Sequence, residues 1–283
     1  MKFFRYGDPG LERPAVEISD KVYDLRPITE DINPEFLRSG GASLVSAALD
    51  AGELPPISVD GLRLGPPIVG SQAILCIGMN YAAHAAESGA NPPEAPVLFL
   101  KHSGCIVGPN DNVVIPRGAK KTDWEVELAV VIGKEARYLS DPSKAKEHIA
   151  GYTISNDVSE RAFQLEDSGG QWSKGKCAET FNPLGPYLVT PDDFHDPQSV
   201  DLRSWVNGEV RQNSNTRDMI FSVDYIIWHL SQYLVLRPGD IVNTGTPQGV
   251  ALSGRFPYLQ DGDVMTMEIT GLGQQKQSLV AAH

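Results

Sequence analysis

The stretch Thr122-Asp123-Trp124-Glu125-Val126-Glu127-Leu128-Ala129-Val130-Val131-Ile132-Gly133 constrains this chain more than any other. Its apolar, β-branched run ending at a glycine predicts a strand that is at least half buried. Side chains alternate faces along a strand, so Glu125 and Glu127 point the same way. Two carboxylates on one face of a buried strand repel each other and lose hydration. A lysine, an arginine or a metal cation has to compensate them; otherwise the segment is a solvent-facing edge with two surface acids. The rest of the chain decides between these.

Composition narrows the setting. The 283 residues are 41% hydrophobic and 21% charged, an ordinary globular balance long enough for a sizeable core. A formal net charge of -12 and a pI near 4.9 argue against nucleic acid or an anionic membrane as the main partner, because phosphate binding needs clustered Lys and Arg. A small anionic substrate needs only two or three local cations and stays open. No window approaches the roughly 18–20 apolar residues that span a bilayer, and Met1–Asp8 lacks the apolar core of a signal peptide. Three cysteines, Cys76, Cys105 and Cys177, stand apart without a Cys/His cluster, so neither a disulfide framework nor a structural zinc site is expected. The expectation is a cytoplasmic protein with reduced thiols.

Strand signals dominate the chain, with few helices, which predicts an α+β, mostly β architecture. Residues 1–68 read as a small N-terminal domain, with a hairpin of 14–18 and 21–25 around Ser19-Asp20 and a weak helical pattern over 34–52. A Gly/Pro-rich boundary at 64–70 separates it from a larger domain, 69–283. In that larger part, strands are predicted at 73–78, 96–101, 113–115, 152–155, 187–190 and 241–243. Asn207-Gly208 predicts a two-residue hairpin turn within 202–212, and 264–269 with 275–280 a last hairpin. Helices are predicted over 80–87, 141–149 and, from the spacing of Ile220, Val223, Ile227, Leu230 and Leu234, over 220–235. His229 lies in that last helix and reads as structural or surface. The Gly- and Ser-rich stretch 166–178 reads as a loop.

Several residues carry possible chemistry. On a helix His84 and Glu87 are i and i+3 and can touch; a carboxylate beside an imidazole fixes its tautomer and raises its basicity. Asp157 falls at a strand end, where functional groups are often presented. Arg161 and Gln164 share one helical turn. Lys176 stands in the glycine-rich loop, and Thr246 in Thr244-Gly245-Thr246-Pro247, a loop able to offer a hydroxyl and backbone N–H groups to an anion. Three acids, Glu125, Glu127 and Asp157, with no cysteine or histidine at ligand spacing suit Mg²⁺ or Mn²⁺.

The ordered set Gly78-Met79-Asn80-Tyr81-x-x-His84-x-x-Glu87, Asp123-x-Glu125-x-Glu127, Asn156-Asp157-Val158-Ser159-Glu160-Arg161-x-x-Gln164, Gly175-Lys176, Arg237-Pro238-Gly239-Asp240 and Thr244-Gly245-Thr246-Pro247 resembles the fumarylacetoacetate hydrolase family over about residues 70–280. The resemblance implies a mixed β-sandwich roll and a homodimer. It implies that Glu125, Glu127 and Asp157 hold the metal and that His84 and Glu87 are the water-activating dyad, on a segment that acts as a lid in relatives. Lys176, Arg161, Gln164 and Thr246 match positions that contact substrate oxygens or the metal's surroundings, and Lys176 joins His84 and Glu87 as a catalytic candidate. Two departures, Ala162 after Arg161 and His102 after Lys101, bear on substrate preference. The wording around 159–164 is closest to bacterial sugar-acid and aromatic-degradation members. The implied reaction is metal-dependent hydrolysis of the C3–C4 bond of a small anionic 2,4-diketo acid to pyruvate and a carboxylic acid. Oxaloacetate decarboxylation and isomerisation of 2-hydroxyhepta-2,4-diene-1,7-dioate draw on the same enolate chemistry and are the alternatives.

Overall fold

The computed structural model describes residues 1–282 except Ser88, Ala90 and His195. A ten-stranded sheet forms its spine. The strands run in the spatial order Lys21–Asp24, Arg13–Ile18, Lys2–Tyr6, Leu188–Val189, Ile149–Asn156, Val126–Ile132, Ile241–Asn243, Ile74–Gly78 and Val97–Lys101, with Leu64–Gly65 pairing off Lys2–Tyr6. Neighbours are antiparallel except Ile241–Asn243 beside Ile74–Gly78. Residues 1–68 form one end of this sheet: Lys2 and Phe3 pair with Val189 and Leu188, and Phe3, Val16 and Leu25 share the hydrophobic core that contains Val126–Ile132.

A five-stranded sheet packs against it, in the order Glu209–Asn215, Asp201–Val206, Val264–Ile269, Gly273–Ala281 and Val113–Ile115. The two sheets bury different patterns. Every residue of Val126–Ile132 is buried, because the strand is covered on both faces and, Glu127 apart, is apolar. Val264–Ile269 alternates between buried and half-buried, since it shows one face to the core and one to water. Buried amides tie the layers together: Gln212 Oε1 accepts from the Val126 N–H at 3.1 Å, and Asn156 Nδ2 donates to Gln277 Oε1 at 3.2 Å. The result is the α+β, mostly β sandwich expected of the chain.

Local expectations hold where turn chemistry is explicit. Asn207 (φ 52°) and Gly208 (φ 79°) both take positive φ between Asp201–Val206 and Glu209–Asn215, the conformation a type I′ hairpin turn requires. Four elements differ from the sequence pattern. The 122–133 segment is broken: Thr122–Asp123 pairs with Ser159–Glu160, Trp124 and Glu125 lie outside strands, and the long strand starts at Val126. The 141–149 helix is a 3₁₀ helix, Pro142–His148, opened by Asp141, whose Oδ1 accepts from the Ser143 N–H. The 220–235 helix shortens to Val223–Ser231, capped by Ser222, because the Ile220 N–H is drawn to the Asn80 carbonyl at 2.8 Å. The 166–178 loop contains one short helix, Ser173–Lys176, after a π-helical turn at Ala162–Glu166. Among the described residues no helix is long and apolar enough to cross a membrane.

Candidate active site

The register of the two central strands assembles the acidic centre. Val126 pairs with Asn156, and the Asp157 N–H donates to the Glu125 carbonyl at 3.0 Å. This sets Asp157, the first residue past its strand, opposite Glu125, the last residue before the other. Glu127 stands on the strand itself. Because Glu125 lies outside the pleat, strand alternation alone does not bring it beside Glu127; the cross-strand bond does. One oxygen from each of Glu125, Glu127 and Asp157 lies within 4.8 Å of the other two, and all three residues are buried.

Cations approach two of the three acids. Lys176 Nζ bridges Glu125 Oε2 and Asp157 Oδ2, at 2.8 Å each. Lys101 Nζ donates to Asp157 Oδ1 at 2.5 Å and to the Phe181 carbonyl at 2.6 Å. Arg161 lies 2.6 Å from Glu125 Oε1 and 2.8 Å from Asp123 Oδ2. Burial works against the Glu125 charge, yet Lys176 and Arg161 beside it hold that carboxyl well below the usual range. Glu127 is the opposite case. It accepts from the Gly245 N–H at 2.7 Å, but burial, and then Asp157 and Glu125, push its carboxyl well above the usual range. A divalent cation fits this donor set: three hard oxygen donors converge, and among the described residues no cation forms an ion pair with the Glu127 carboxylate, which faces two other acids.

Local packing explains how each side chain reaches the centre. Lys176 ends the Ser173–Lys176 helix, and that helix sits close because of Gly175. A Cβ at Gly175 would lie 2.5 Å from Gln164 Cβ and from the Glu160 carbonyl, so no larger residue fits without moving Lys176. Arg161 is aimed by Asp123, whose Oδ1 accepts from the Ala251 N–H and whose Oδ2 accepts from the Leu252 N–H. Arg161 NH1 in turn donates to Gln164 Oε1 at 2.9 Å. Thr246 donates to the Val126 carbonyl at 3.0 Å and accepts from Gln212 Nε2 at 2.8 Å. Gly245 (φ 100°) permits the approach; a Cβ there would meet Asn80 Cβ at 2.8 Å.

The His84–Glu87 pair closes the site from the Ala82–Glu87 helix. Asn80 anchors that helix through the Phe221 and Thr244 carbonyls. His84 Nδ1 lies 3.8 Å from Glu87 Oε2, within ion-pair reach but beyond hydrogen-bond length. Glu87 is held by the Gly249 N–H at 2.9 Å and by Arg255 at 3.2 Å. Burial lowers His84 from its usual 6.5, against the opposing pull of Glu125, which favours the neutral imidazole that can take a proton.

A cavity of about 210 Å³ joins these groups. His84, Glu125, Glu127, Arg161, Gln164, Lys176 and Thr246 line one part of it, and Ile77, Met79, Phe99, Leu165, Trp172 and Leu252 the other. Every candidate named from the sequence lines this cavity except Asp157 and Glu87; Asp157 meets the lining through Lys176, and Glu87 stands beside His84. Sequence reasoning gave no role to Lys101, Asp123, Asn80 or Arg255. Asp123 carried a signal, since it opens the Asp-x-Glu-x-Glu spacing. Lys101 carried only its place at a strand end, because its burial is set by residues far along the chain.

Comparison with known proteins agrees with this architecture. The model of the fumarylacetoacetate hydrolase C-terminal domain matches residues 73–280, and the chain belongs to the fumarylacetoacetate hydrolase family. Among solved structures, it is similar to a fumarylacetoacetate hydrolase from Exiguobacterium antarcticum, with 36% identity, full coverage of both chains and a TM-score of 0.87. A 5-carboxymethyl-2-hydroxymuconate delta-isomerase from Mycobacterium smegmatis is 33% identical, with full coverage of both chains and a TM-score of 0.79. A maleylpyruvate hydrolase from Sphingobium sp. SYK-6, solved with manganese(II) ion and pyruvate, is 29% identical, again with full coverage of both chains and a TM-score of 0.81. Its relatives thus include hydrolases and isomerases. The family and the site together define an enzyme acting on small carbonyl or keto-acid substrates.

Proposed function

We propose that this chain is a metal-dependent hydrolase that cleaves the C3–C4 bond of a 2,4-diketo acid, releasing pyruvate and a carboxylic acid, as a cytoplasmic homodimer. The observation that carries the reading is the convergence of His84 with Glu125, Glu127, Arg161 and Lys176 on one 210 Å³ cavity. Glu125, Glu127 and Asp157 would hold Mg²⁺ or Mn²⁺, which supplies Lewis-acid chemistry at the keto acid's oxygens. The Sphingobium hydrolase solved with manganese and pyruvate supports that choice of metal and product.

The chain's own residues account for the other steps. Arg161, Gln164, Lys176 and Thr246 anchor the carboxylate and keto oxygens by charge-assisted hydrogen bonds. His84, kept neutral by burial and oriented by Glu87, takes a proton from a water molecule. The water oxygen adds to the C4 carbonyl, the C3–C4 bond breaks, and its electron pair passes to C3. Protonation at C3 completes pyruvate, and the far fragment leaves as the acid. Isomerisation is the second reading, favoured by the likeness to the delta-isomerase; it needs His84 to move a proton but no attacking water. A panel of acylpyruvates and a hydroxydiene-dioate, assayed with Mg²⁺, Mn²⁺ and EDTA, separates the two. Metal-dependent pyruvate release from an acylpyruvate is the expected outcome; spectral conversion of the dienoate without pyruvate would replace hydrolysis by isomerisation.

A further inference from the structure

The two parts of the cavity differ in charge as well as polarity. Its cations among the described residues are Arg161 and Lys176, and both belong to the acidic end: Lys176 spans Glu125 and Asp157, and Arg161 is shared between Asp123 and Glu125. The other part of the lining is apolar, and Phe99 adjoins the cationic end, its ring centroid 5.1 Å from Lys176 Nζ. Phe99 and Trp172 meet edge to face, with ring centroids 5.6 Å apart, and Trp172 is packed over Gly78, where a Cβ would come within 2.7 Å of its ring. Leu165 and Leu252 stand at the opening, 47% and 39% exposed. Arg255 does not line the cavity and is held on Glu87. The space is also small, below the roughly 300–1,000 Å³ usual for larger ligands.

We infer that this cavity takes a keto acid whose group beyond C4 is short and uncharged, and rejects one that carries a second carboxylate there. The inference rests on the reading of the Arg161–Gln164–Lys176 end as the keto-acid anchor. A distal carboxylate would leave water for a wall of Phe99, Trp172, Leu165 and Leu252, where the lining cations among the described residues, Arg161 and Lys176, are already paired with Asp123, Glu125 and Asp157, and an unpaired buried charge is strongly disfavoured. An alkyl group of the same length loses no such hydration and gains contact with the two rings.

Matched keto acids that cannot be hydrolysed test this apart from turnover. The Mn²⁺-loaded protein is titrated by calorimetry with 2-oxohexanoate and with 2-oxoadipate, which differ only in the terminal group. Binding of 2-oxohexanoate at least about tenfold tighter supports the inference. Equal or tighter binding of 2-oxoadipate, or no binding of either, overturns it. Leu165→Arg, at an exposed position, places a cation on the apolar wall and is expected to move the ratio toward 2-oxoadipate by about tenfold; an unchanged ratio in a folded variant shows that the far group does not reach this wall and also overturns the inference. Pyruvate release from an uncharged acylpyruvate is measured in parallel. Its absence removes the hydrolase reading while the binding ratio still decides the inference.

Discussion

Beside the Lys2–Tyr6 strand, Arg5 and Arg63 meet Glu12, Asp31 and Asp111; at the centre of the same sheet, Lys101, Lys176 and Arg161 stand beside the acidic trio of Glu125, Glu127 and Asp157 but pair with only Glu125 and Asp157. The residue types are alike and the outcomes differ. In the first cluster each acid has an arginine. Arg5 binds Asp31 through Nε at 2.7 Å and NH2 at 2.9 Å, Arg63 grips Asp111 at 2.7 and 2.5 Å, and Arg63 also reaches Glu12 at 2.9 Å. Burial opposes the Glu12 charge, but Arg63 keeps its carboxyl below the usual range. In the second cluster the cations serve Glu125 and Asp157, and Glu127 is driven upward. The first cluster is electrostatically closed and staples residues 1–68 to the loop before Val113. The second is open at one carboxylate, an opening that a divalent cation would fit.

Substitutions at the two clusters should therefore behave in opposite ways, and the largest difference lies at Glu127. Glu127→Gln keeps the shape of the neutral acid, so the metal-free protein should be as stable or more stable, while manganese affinity and metal-dependent turnover fall by about a hundredfold or more. Calorimetric metal titration beside thermal denaturation reads both; a variant that binds manganese normally removes Glu127 from the metal site. Next in size, His84→Ala should retain manganese binding and lose about 10²–10⁴ in turnover. Retained hydrolysis would sink the dyad.

At the closed cluster, Arg63→Ala should leave manganese affinity unchanged and cost about 2 kcal/mol in urea denaturation, less than a fully buried pair because Arg63 keeps partial access to water. A loss of metal affinity there would show that the two clusters are coupled. The smallest effect is a pH dependence. His84 sits below its usual 6.5 in the folded chain, so the unfolded chain takes up this proton first as pH falls. The His84 contribution to stability is thus lost from about pH 6.5 downward, and the neutral base persists below that point. The acid limb of kcat/KM should have its midpoint below 6.5 and should vanish in His84→Ala; a limb above 6.5 would mean that another group carries it.

Different parts of the molecule were legible to different degrees. The Asn207-Gly208 hairpin, the Ile74–Gly78 strand and the helix holding His84 and Glu87 follow from short-range signals, because turn φ values and hydrophobic period are local properties. The convergence of Glu125, Glu127 and Asp157 was legible as a charge problem with a short list of solutions. Which solution applies was not. Glu125 lies outside the strand that the apolar pattern predicts for it, and the bond from the Asp157 N–H to its carbonyl holds it opposite Asp157, where the three acids converge. The closed cluster at Arg5 and Arg63 left no trace in the sequence pattern, since its partners are scattered between Arg5 and Asp111.

The sequence by itself determined the mostly β architecture and the stretches that supply the acids, the histidine and the glycine-rich turns, for those are written in neighbouring residues. Only the tertiary structure decided how charge is distributed. Lys176 meets Glu125 across 51 positions, and Lys101 meets Asp157 across 56. Their burial, and with it the strength of each pairing and the unmatched state of Glu127, depends on what the two sheets exclude from water, a property that no local segment of the chain possesses.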